Sequence, residues 1–497
     1  MTPDQQLIHA PRWQPADLGS PLPDSPHANS VCLPAWQDVI DYEEKIPRVM
    51  QRLRAGYPRF VVPALCMRFF DMCRERFARN GELCHAYPTL RSARRCIDLI
   101  KQWTGADARV VEWPEHRIFV VCFPAQAEAS ALKYWRHTGE GLSSRQADWL
   151  MQGRPAPEGD AARQIIVDRI ASQAGVPAEN IFLFKSGMAA IYTLHRMAMR
   201  MRPGGACVQF GFPYVDTLKI QQDFGFRSIF YPMGNRHEID DLGHRLRSEN
   251  ISGIITEFPS NPLLNTPDMH ALSELARVHR VPLIVDDTIA TWLNVDLRSV
   301  ADVIVTSLTK FFTGRGDVMG GAVILNPARP LFPEVKEAFA GEYEDTTWSG
   351  NLIEMENQSR DFAERMKQVN RTTTDLCDWL ASRPEVEHVY YPNHRSRAEF
   401  DKFKKPDGGY SGLFSIVLKN SATTTIPFYN QLRISKGPNL GTTFSLCCPF
   451  TLLAHFDELD WAEQCGVSRY LLRFSIGLED LTDLQERFEQ AFAATAG

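Results

Sequence analysis

No run in the 497-residue chain reaches 18 apolar residues, the length a helix needs to span a bilayer, so no membrane partner is expected. An excess of basic charge is missing too. Lys and Arg number 54 against 60 Asp and Glu, a net charge of -6 without long runs of one sign, so nothing supplies the basic stripe that nucleic acid requires. The eleven cysteines are an odd number, with no CxxC pair and no Cys/His ligand cluster, which excludes a disulfide scaffold and a zinc site. Buried thiols are expected, with the adjacent Cys447-Cys448 pair filling core before Pro449. No GxGxxG follows a strand-like run, which removes the fingerprint of a nicotinamide dinucleotide site. The opening MTPDQQLIHAPRW carries an Asp and two prolines where a signal peptide would need an apolar core, so a cytoplasmic location is expected.

What is present is ordinary globular composition, 44% hydrophobic and 23% charged, long enough for two to four domains at about 150 residues each. Residues 1–30 hold six prolines and few periodic apolar positions, which predicts an extended or mobile arm. From Trp36 to about Lys101 apolar residues fall three and four apart, as helices require. ARVVEW and RIFVVCF then predict two short strands, and Ser143 or Ser144 a helix cap, giving a small α+β unit over 61–155.

From about residue 160 short apolar runs alternate with helical stretches, the pattern of βαβ units and a mainly parallel sheet. ENIFLF, ACVQFGF, SGIITEF, VPLIVDD, ADVIVTSL and GAVILN have the length of strands buried on both faces. The segment NLIEMENQSRDFAERMKQVNRTTTDLCDWL predicts one long helix leading into a C-terminal α+β domain, with GLFSIVL and YLLRFSIGL as strands. The expected domains are thus 1–60, 61–155, 156–345 and 346–497.

Ligands of open α/β sheets sit beyond the carboxyl ends of the strands, and three such ends carry chemistry. Lys185-Ser186-Gly187-Met188 opens a helix, where unpaired N–H groups and the dipole attract an anion such as phosphate. Asp286 and Asp287 close an otherwise apolar strand, a position where helix capping is the simpler alternative. Ser307-Leu308-Thr309-Lys310 precedes a glycine-rich stretch, and partial desolvation would make the lysine amine a nucleophile. Anion site, carboxylate and lysine together suit pyridoxal 5'-phosphate, with Asp286, in line with the strand, facing the pyridine nitrogen.

On these residues the sequence resembles the cystathionine gamma-synthase family of pyridoxal-phosphate enzymes. The resemblance implies fold type I, α/β with a mainly parallel sheet in a large domain, a smaller C-terminal α+β domain and an N-terminal α+β insertion. Ser307-Leu308-Thr309-Lys310 is similar to the family's lysine signature, implying Lys310 as Schiff-base residue with Ser307 and Thr309 near the phosphate. Gly187 and Met188 match its phosphate turn, Asp286 its pyridinium partner, Glu257-Phe258-Pro259-Ser260-Asn261-Pro262 its strand end, and Tyr214 with Thr217 the segment whose tyrosine stacks on the cofactor ring.

Arg473, in RFSIGLED, implies a clamp for the substrate α-carboxylate, with Asn261 and Asn439 as further substrate contacts. Gly56-Tyr57-Pro58-Arg59-Phe60 resembles the Tyr-x-Arg segment that reaches the cofactor phosphate from a neighbouring subunit, implying a homodimer or homotetramer with shared sites. The intervening 61–155 insertion, with KYWRHTGEG before the core, resembles the long fungal-type enzymes. His137 or Glu140 of that stretch is expected near the substrate channel. Asp287 stands where asparagine is usual and Asn439 where serine is usual.

The implied reaction is γ-replacement on an O-acyl-L-homoserine by cysteine, Lys310 acting as proton shuttle and Tyr214 as a secondary acid/base. A γ- or β-lyase, an O-acylhomoserine sulfhydrylase, a pathway-specific γ-synthase, or a non-catalytic cofactor-binding protein remain alternatives.

Overall fold

A computed structural model describes residues 2–57 and 61–495. The first sheet comes from the inserted unit: β1 (Glu82–Tyr87), β2 (Arg109–Trp113) and β3 (Ile118–Pro124) form an antiparallel sheet in the order β1-β3-β2. Its apolar residues alternate between two cores. Cys84, Ala86, Val120 and Cys122 pack toward the helix Ala64–Phe77. Tyr87, Val121 and Phe123 face the helices Leu90–Thr104 and Glu128–Thr138 on the other side. β1 is a strand that the helical periodicity around it conceals.

The central sheet contains β4 (Ile181–Phe184), β5 (Ala206–Phe210), β6 (Ser228–Tyr231), β7 (Ile251–Glu257), β8 (Leu283–Asp286), β9 (Val303–Thr306) and β10 (Gly321–Leu325), in the order β4-β10-β9-β8-β7-β5-β6. Strands β5 to β9 run parallel, and β10 is antiparallel to both neighbours. Runs such as Ile254-Ile255 and Val303-Ile304-Val305 are wholly buried because helices cover both faces. All six expected strands form, and β6 is an additional, half-buried edge strand.

The C-terminal sheet holds β11 (Val386–Tyr390), β12 (Leu413–Leu418), β13 (Ser435–Lys436), β14 (Leu446–Pro449) and β15 (Leu472–Ser475) in the order β11-β12-β15-β14-β13. The single long helix expected before it is two helices, Ser349–Gln358 and Phe362–Ala381. Between them the carbonyls of Glu356 and Gln358 turn to the guanidinium groups of Arg169 (3.2 Å) and Arg365 (3.3 Å), which interrupts the helical ladder.

The N-terminal arm is anchored rather than mobile. Leu7, Leu22 and Cys32 bury against Phe444 and Leu446 of the C-terminal domain. Asp4 pairs with Arg315 at 3.2 Å and accepts from Thr443 at 2.8 Å. The turn over 19–32 is held by backbone hydrogen bonds such as Leu22 to Ser30 (3.0 Å) and Cys32 to Ser20 (2.8 Å).

Candidate active site

The carboxyl ends of the parallel strands open into a cavity of about 160 Å³ whose walls come from the arm, the inserted unit and both later domains. Register brings the polar strand ends together: Glu257 of β7 pairs with Asp286 of β8, and Asp286 lies beside Val305 of β9, two residues before Ser307. Lys310 follows in a buried turn whose Thr309 hydroxyl accepts from Gly320 N–H at 3.1 Å and donates to Gly320 C=O at 3.2 Å. Thr309 therefore braces the glycine-rich loop as well as lining the cavity.

Lys310 Nζ donates to Asn439 Oδ1 at 2.6 Å and to Tyr57 Oη at 3.1 Å, and lies 4.8 Å from the centre of the Tyr57 ring. Tyr57 Oη in turn lies 3.3 Å from Tyr214 Oη. Burial pushes the Tyr57 hydroxyl up, but the Lys310 charge and the Tyr214 hydrogen bond outweigh it and leave it below the ordinary tyrosine range. Tyr57 thus reaches the lysine of its own chain. Within the chain, Trp36 of the preceding helix Trp36–Glu43 packs edge-on against Tyr429. Arg59 of the Tyr57 segment lies outside the described residues.

Two carboxyl groups sit side by side at the end of β7 and β8, and their burial raises both. Glu257 rises well above the usual range through burial and the neighbouring Asp286 charge, while Asp286 is held back by its hydrogen bond from Thr288 N–H (2.9 Å) and by Lys310. The pair therefore favours neutral Glu257 and anionic Asp286. Asp287 points away, accepts from the Thr306 hydroxyl, and is raised to about 7 by burial.

Opposite the carboxylates, the helix Gly187–Met201 begins at the cavity wall, capped by Ser186 Oγ accepting from Ala189 N–H at 3.1 Å. The first amides, Gly187 and Met188, have no intrahelical acceptor. A side chain on Gly187 would meet Ser307 Cβ at 2.9 Å, so only glycine allows this close approach of turn and loop. Gly139 fits against the same turn with φ +64, and a Cβ there would strike Ser186 Oγ. The Ser186 hydroxyl donates to Gly139 C=O at 3.3 Å, so the two helix amides and the Ser307 side chain form the donor set for an oxyanion.

At the far side Arg473 of β15 donates to Asn261 Oδ1 at 3.3 Å and to Pro438 C=O at 2.7 Å, its guanidinium 4.8 Å from the Phe450 ring centre. Asn439 does not touch this arginine; it is turned to Lys310. Neither His137 nor Glu140 lines the cavity. His137 Nδ1 lies 2.9 Å from Asp216, and Glu140 is buried among Arg95, Arg196 and Tyr134, so the two residues bind the insertion to the core. Its neighbours Gly139 and Gly141 do line the cavity, with Trp135, Arg136 and Leu142. Asn29 and Phe450 are cavity residues without any local sequence signal, because distant segments carry them in, while Trp135 belongs to the KYWRHTGEG stretch expected there. Cys448 also borders the cavity, and burial keeps its thiol protonated.

A mainly parallel sheet ending in a buried lysine, a carboxylate and an anion turn defines an enzyme of the pyridoxal-phosphate class. The chain belongs to the Cys/Met metabolism PLP-dependent enzyme family, which it matches over residues 158–493. Residues 65–143 match the fungal trans-sulfuration enzyme N-terminal domain. Among curated relatives, cystathionine gamma-synthase of Neurospora crassa is 32% identical over 96% of this chain and 98% of its own. An L-2-amino-4-chloropent-4-enoate dechlorinase/desaturase of Streptantibioticus cattleyicolor is 30% identical over 95% of this chain and 97% of its own. The fold is shared with the crystal structure of cystathionine gamma synthase from Xanthomonas oryzae pv. oryzae, with TM-score 0.59 and 22% identity over 68% of this chain and 86% of that one. Among the described residues no helix is long and apolar enough to cross a membrane, and no cluster of His, Cys, Asp and Glu suits a metal.

Proposed function

We propose that the enzyme performs γ-replacement on an O-acyl-L-homoserine, with L-cysteine as nucleophile and cystathionine as product, in the cytoplasm. The observation that carries this reading is a single cavity holding Lys310 with two hydroxyls in line behind it, Asp286, the Gly187 turn and Arg473. The near full-length similarity to a cystathionine gamma-synthase supports the choice of reaction.

These residues fit pyridoxal phosphate on their own chemistry. The amides of Gly187 and Met188, with the Ser307 hydroxyl, would hold the phosphate at a turn where a Cβ on Gly187 would meet Ser307. Asp286, whose anionic form is favoured by Thr288 and Lys310, would hold the pyridine nitrogen. Once bound, the cofactor supplies the electron sink.

Arg473 holds the substrate α-carboxylate through paired N–H donors, and Asn261 orients the guanidinium. That grip turns the α- and β-carbons toward Lys310, whose Nζ moves their protons as a general base and acid. Tyr57 and Tyr214 extend the hydrogen-bonded line from Nζ and pass a proton along it. The C–O bond to the acyl group breaks and the carboxylate leaves with its electron pair, while the cysteine thiol loses its proton to solvent and its sulfur forms the new C–S bond at the γ-carbon.

A γ-elimination enzyme is the second reading, favoured by the relative named as a dechlorinase/desaturase. The test is product analysis with an O-acylhomoserine, with and without cysteine, beside the visible absorbance of wild type and Lys310→Ala. Cystathionine formed only with cysteine, and an absorbance band changed in the variant, is the expected result. Release of 2-oxobutyrate regardless of cysteine would establish the second reading.

A further inference from the structure

The machinery assigned above accounts for the cofactor and for the α-carboxylate of a bound amino acid, but leaves unused a cavity carboxamide with both polar atoms unpaired among the described residues, that of Asn29. Asn29 is carried into the wall by the N-terminal arm and is 3% exposed. Among the described residues neither its Oδ1 nor its Nδ2 has a hydrogen-bond partner. Its backbone is nevertheless fixed. Asn29 N–H donates to Gly316 C=O at 3.0 Å, in the glycine-rich loop after Lys310. Two residues earlier His27 Nδ1 lies 3.3 Å from Ser144 Oγ of the inserted unit, and Ser25 Oγ donates to Asp317 at 3.3 Å. The carboxamide is held at the junction of three segments, with Leu142 and Met319 from two of them also lining the cavity.

A rigid, buried, unpaired carboxamide is rare in folded proteins unless a ligand completes it. Here the phosphate, the pyridine nitrogen and the α-carboxylate already have partners, and a γ-acylated amino acid brings one further polar group, the ester carbonyl, joined to apolar carbon. We propose that Asn29 is a specificity residue whose Nδ2 donates to an sp² oxygen of the substrate beyond the γ-carbon, the acyl ester carbonyl. This rests on the γ-replacement reading. A carboxylate oxygen of the incoming cysteine has the same acceptor chemistry, and the kinetics separate the two sources.

The experiment uses full-length holoenzyme, wild type beside Asn29→Ala and Asn29→Ser, the latter keeping a short polar side chain in the same wall. Cofactor content is read from visible absorbance, KM is measured for the ester and for cysteine separately, and binding is followed by the absorbance change on adding an O-acylhomoserine or norvaline, which lacks the side-chain oxygen. Asn29→Ala is expected to keep its cofactor, to raise KM for the ester at least 10-fold, and to weaken binding of the ester while leaving norvaline binding unchanged. A rise confined to the KM of cysteine would instead assign the contact to the nucleophile's carboxylate. Unchanged constants for both, or equal weakening of ester and norvaline, would overturn the proposal. If Asn29→Ala loses cofactor, Asn29→Ser decides on the same measurements. Should wild type turn over no acylhomoserine, the reaction assignment falls by itself, and the ester-against-norvaline titration still tests Asn29.

Discussion

Lys310 Nζ and Asn439 Oδ1 are 2.6 Å apart, although 129 residues separate them in the chain and Asn439 belongs to the loop before β14 in the C-terminal domain. The contact ties the reacting amine to the domain that carries Arg473, so the distance between base and carboxylate clamp is set by one rigid loop. A hydrogen bond to a charged amine contributes about 1.5–3 kcal/mol. Asn439→Ala is expected to lower kcat by about 10- to 100-fold while leaving cofactor binding intact, as steady-state kinetics beside visible absorbance will measure.

Tyr57 stands between Lys310 and Tyr214, and its hydroxyl ionises below the ordinary tyrosine range because the lysine charge favours the anion. Tyr57→Phe interrupts the hydroxyl line without removing the ring. The expected outcome is a lower kcat and an alkaline limb of the pH–rate profile moved to higher pH. An unaltered profile would remove Tyr57 from proton transfer.

Arg473 faces the cavity from β15 with its guanidinium already oriented by Asn261 and the Pro438 carbonyl. Lysine there cannot reproduce paired N–H donors. Arg473→Lys is expected to raise KM for the amino-acid ester, with a loss in kcat/KM on the order of 2–5 kcal/mol, about 30-fold or more. Cofactor absorbance should be preserved, since the arginine lies away from the Gly187 turn.

The seven strands of the central sheet show where sequence is informative. Six are dominated by apolar runs, because burial on both faces admits few polar residues, such as Gln209, Ser252 and Thr256. β6 escaped because an edge strand of four residues, half-buried, carries no such run. The lysine, aspartate and glycine turn were legible because each is a strand end followed by an unusual residue. The KYWRHTGEG stretch was expected near the substrate channel, but through His137 or Glu140 rather than Trp135, and nothing in the neighbours of Asn29 or Phe450 says that they line the same cavity. The break near Ser359 likewise depends on Arg169 and Arg365, which come from elsewhere on the fold and within the next helix.

Asp287 is buried and raised from 3.8 to about 7, so the folded protein binds its proton more tightly than the unfolded chain. The stability this gives is fully present below 3.8 and is lost progressively as pH rises from there through about 7. Asparagine keeps the shape and cannot ionise. Asp287→Asn is therefore expected to exceed wild type in stability by an amount that grows from the acid side of pH 5 to pH 8.5. The gain is on the order of 2–4 kcal/mol at most, read from the difference in Tm across that range.

Glu140 joins the insertion to the core through Arg95 at 2.7 Å and Arg196 at 3.4 Å, and their charges hold its carboxyl below the usual range despite burial. Removing one partner of a buried ionic cluster costs about 3–5 kcal/mol. Glu140→Ala should lower Tm by several degrees with substrate KM unchanged, a split that thermal denaturation beside kinetics will show.

The arm's turn against β14 means that the cavity wall begins at Asn29 and is finished only by Arg473, near the end of the chain. A growing polypeptide on the ribosome can build the central sheet and its lysine long before the carboxylate clamp has been synthesised. The cofactor turn and the carboxylate clamp are therefore made at different times, and a site able to grip an amino acid needs β15 in place.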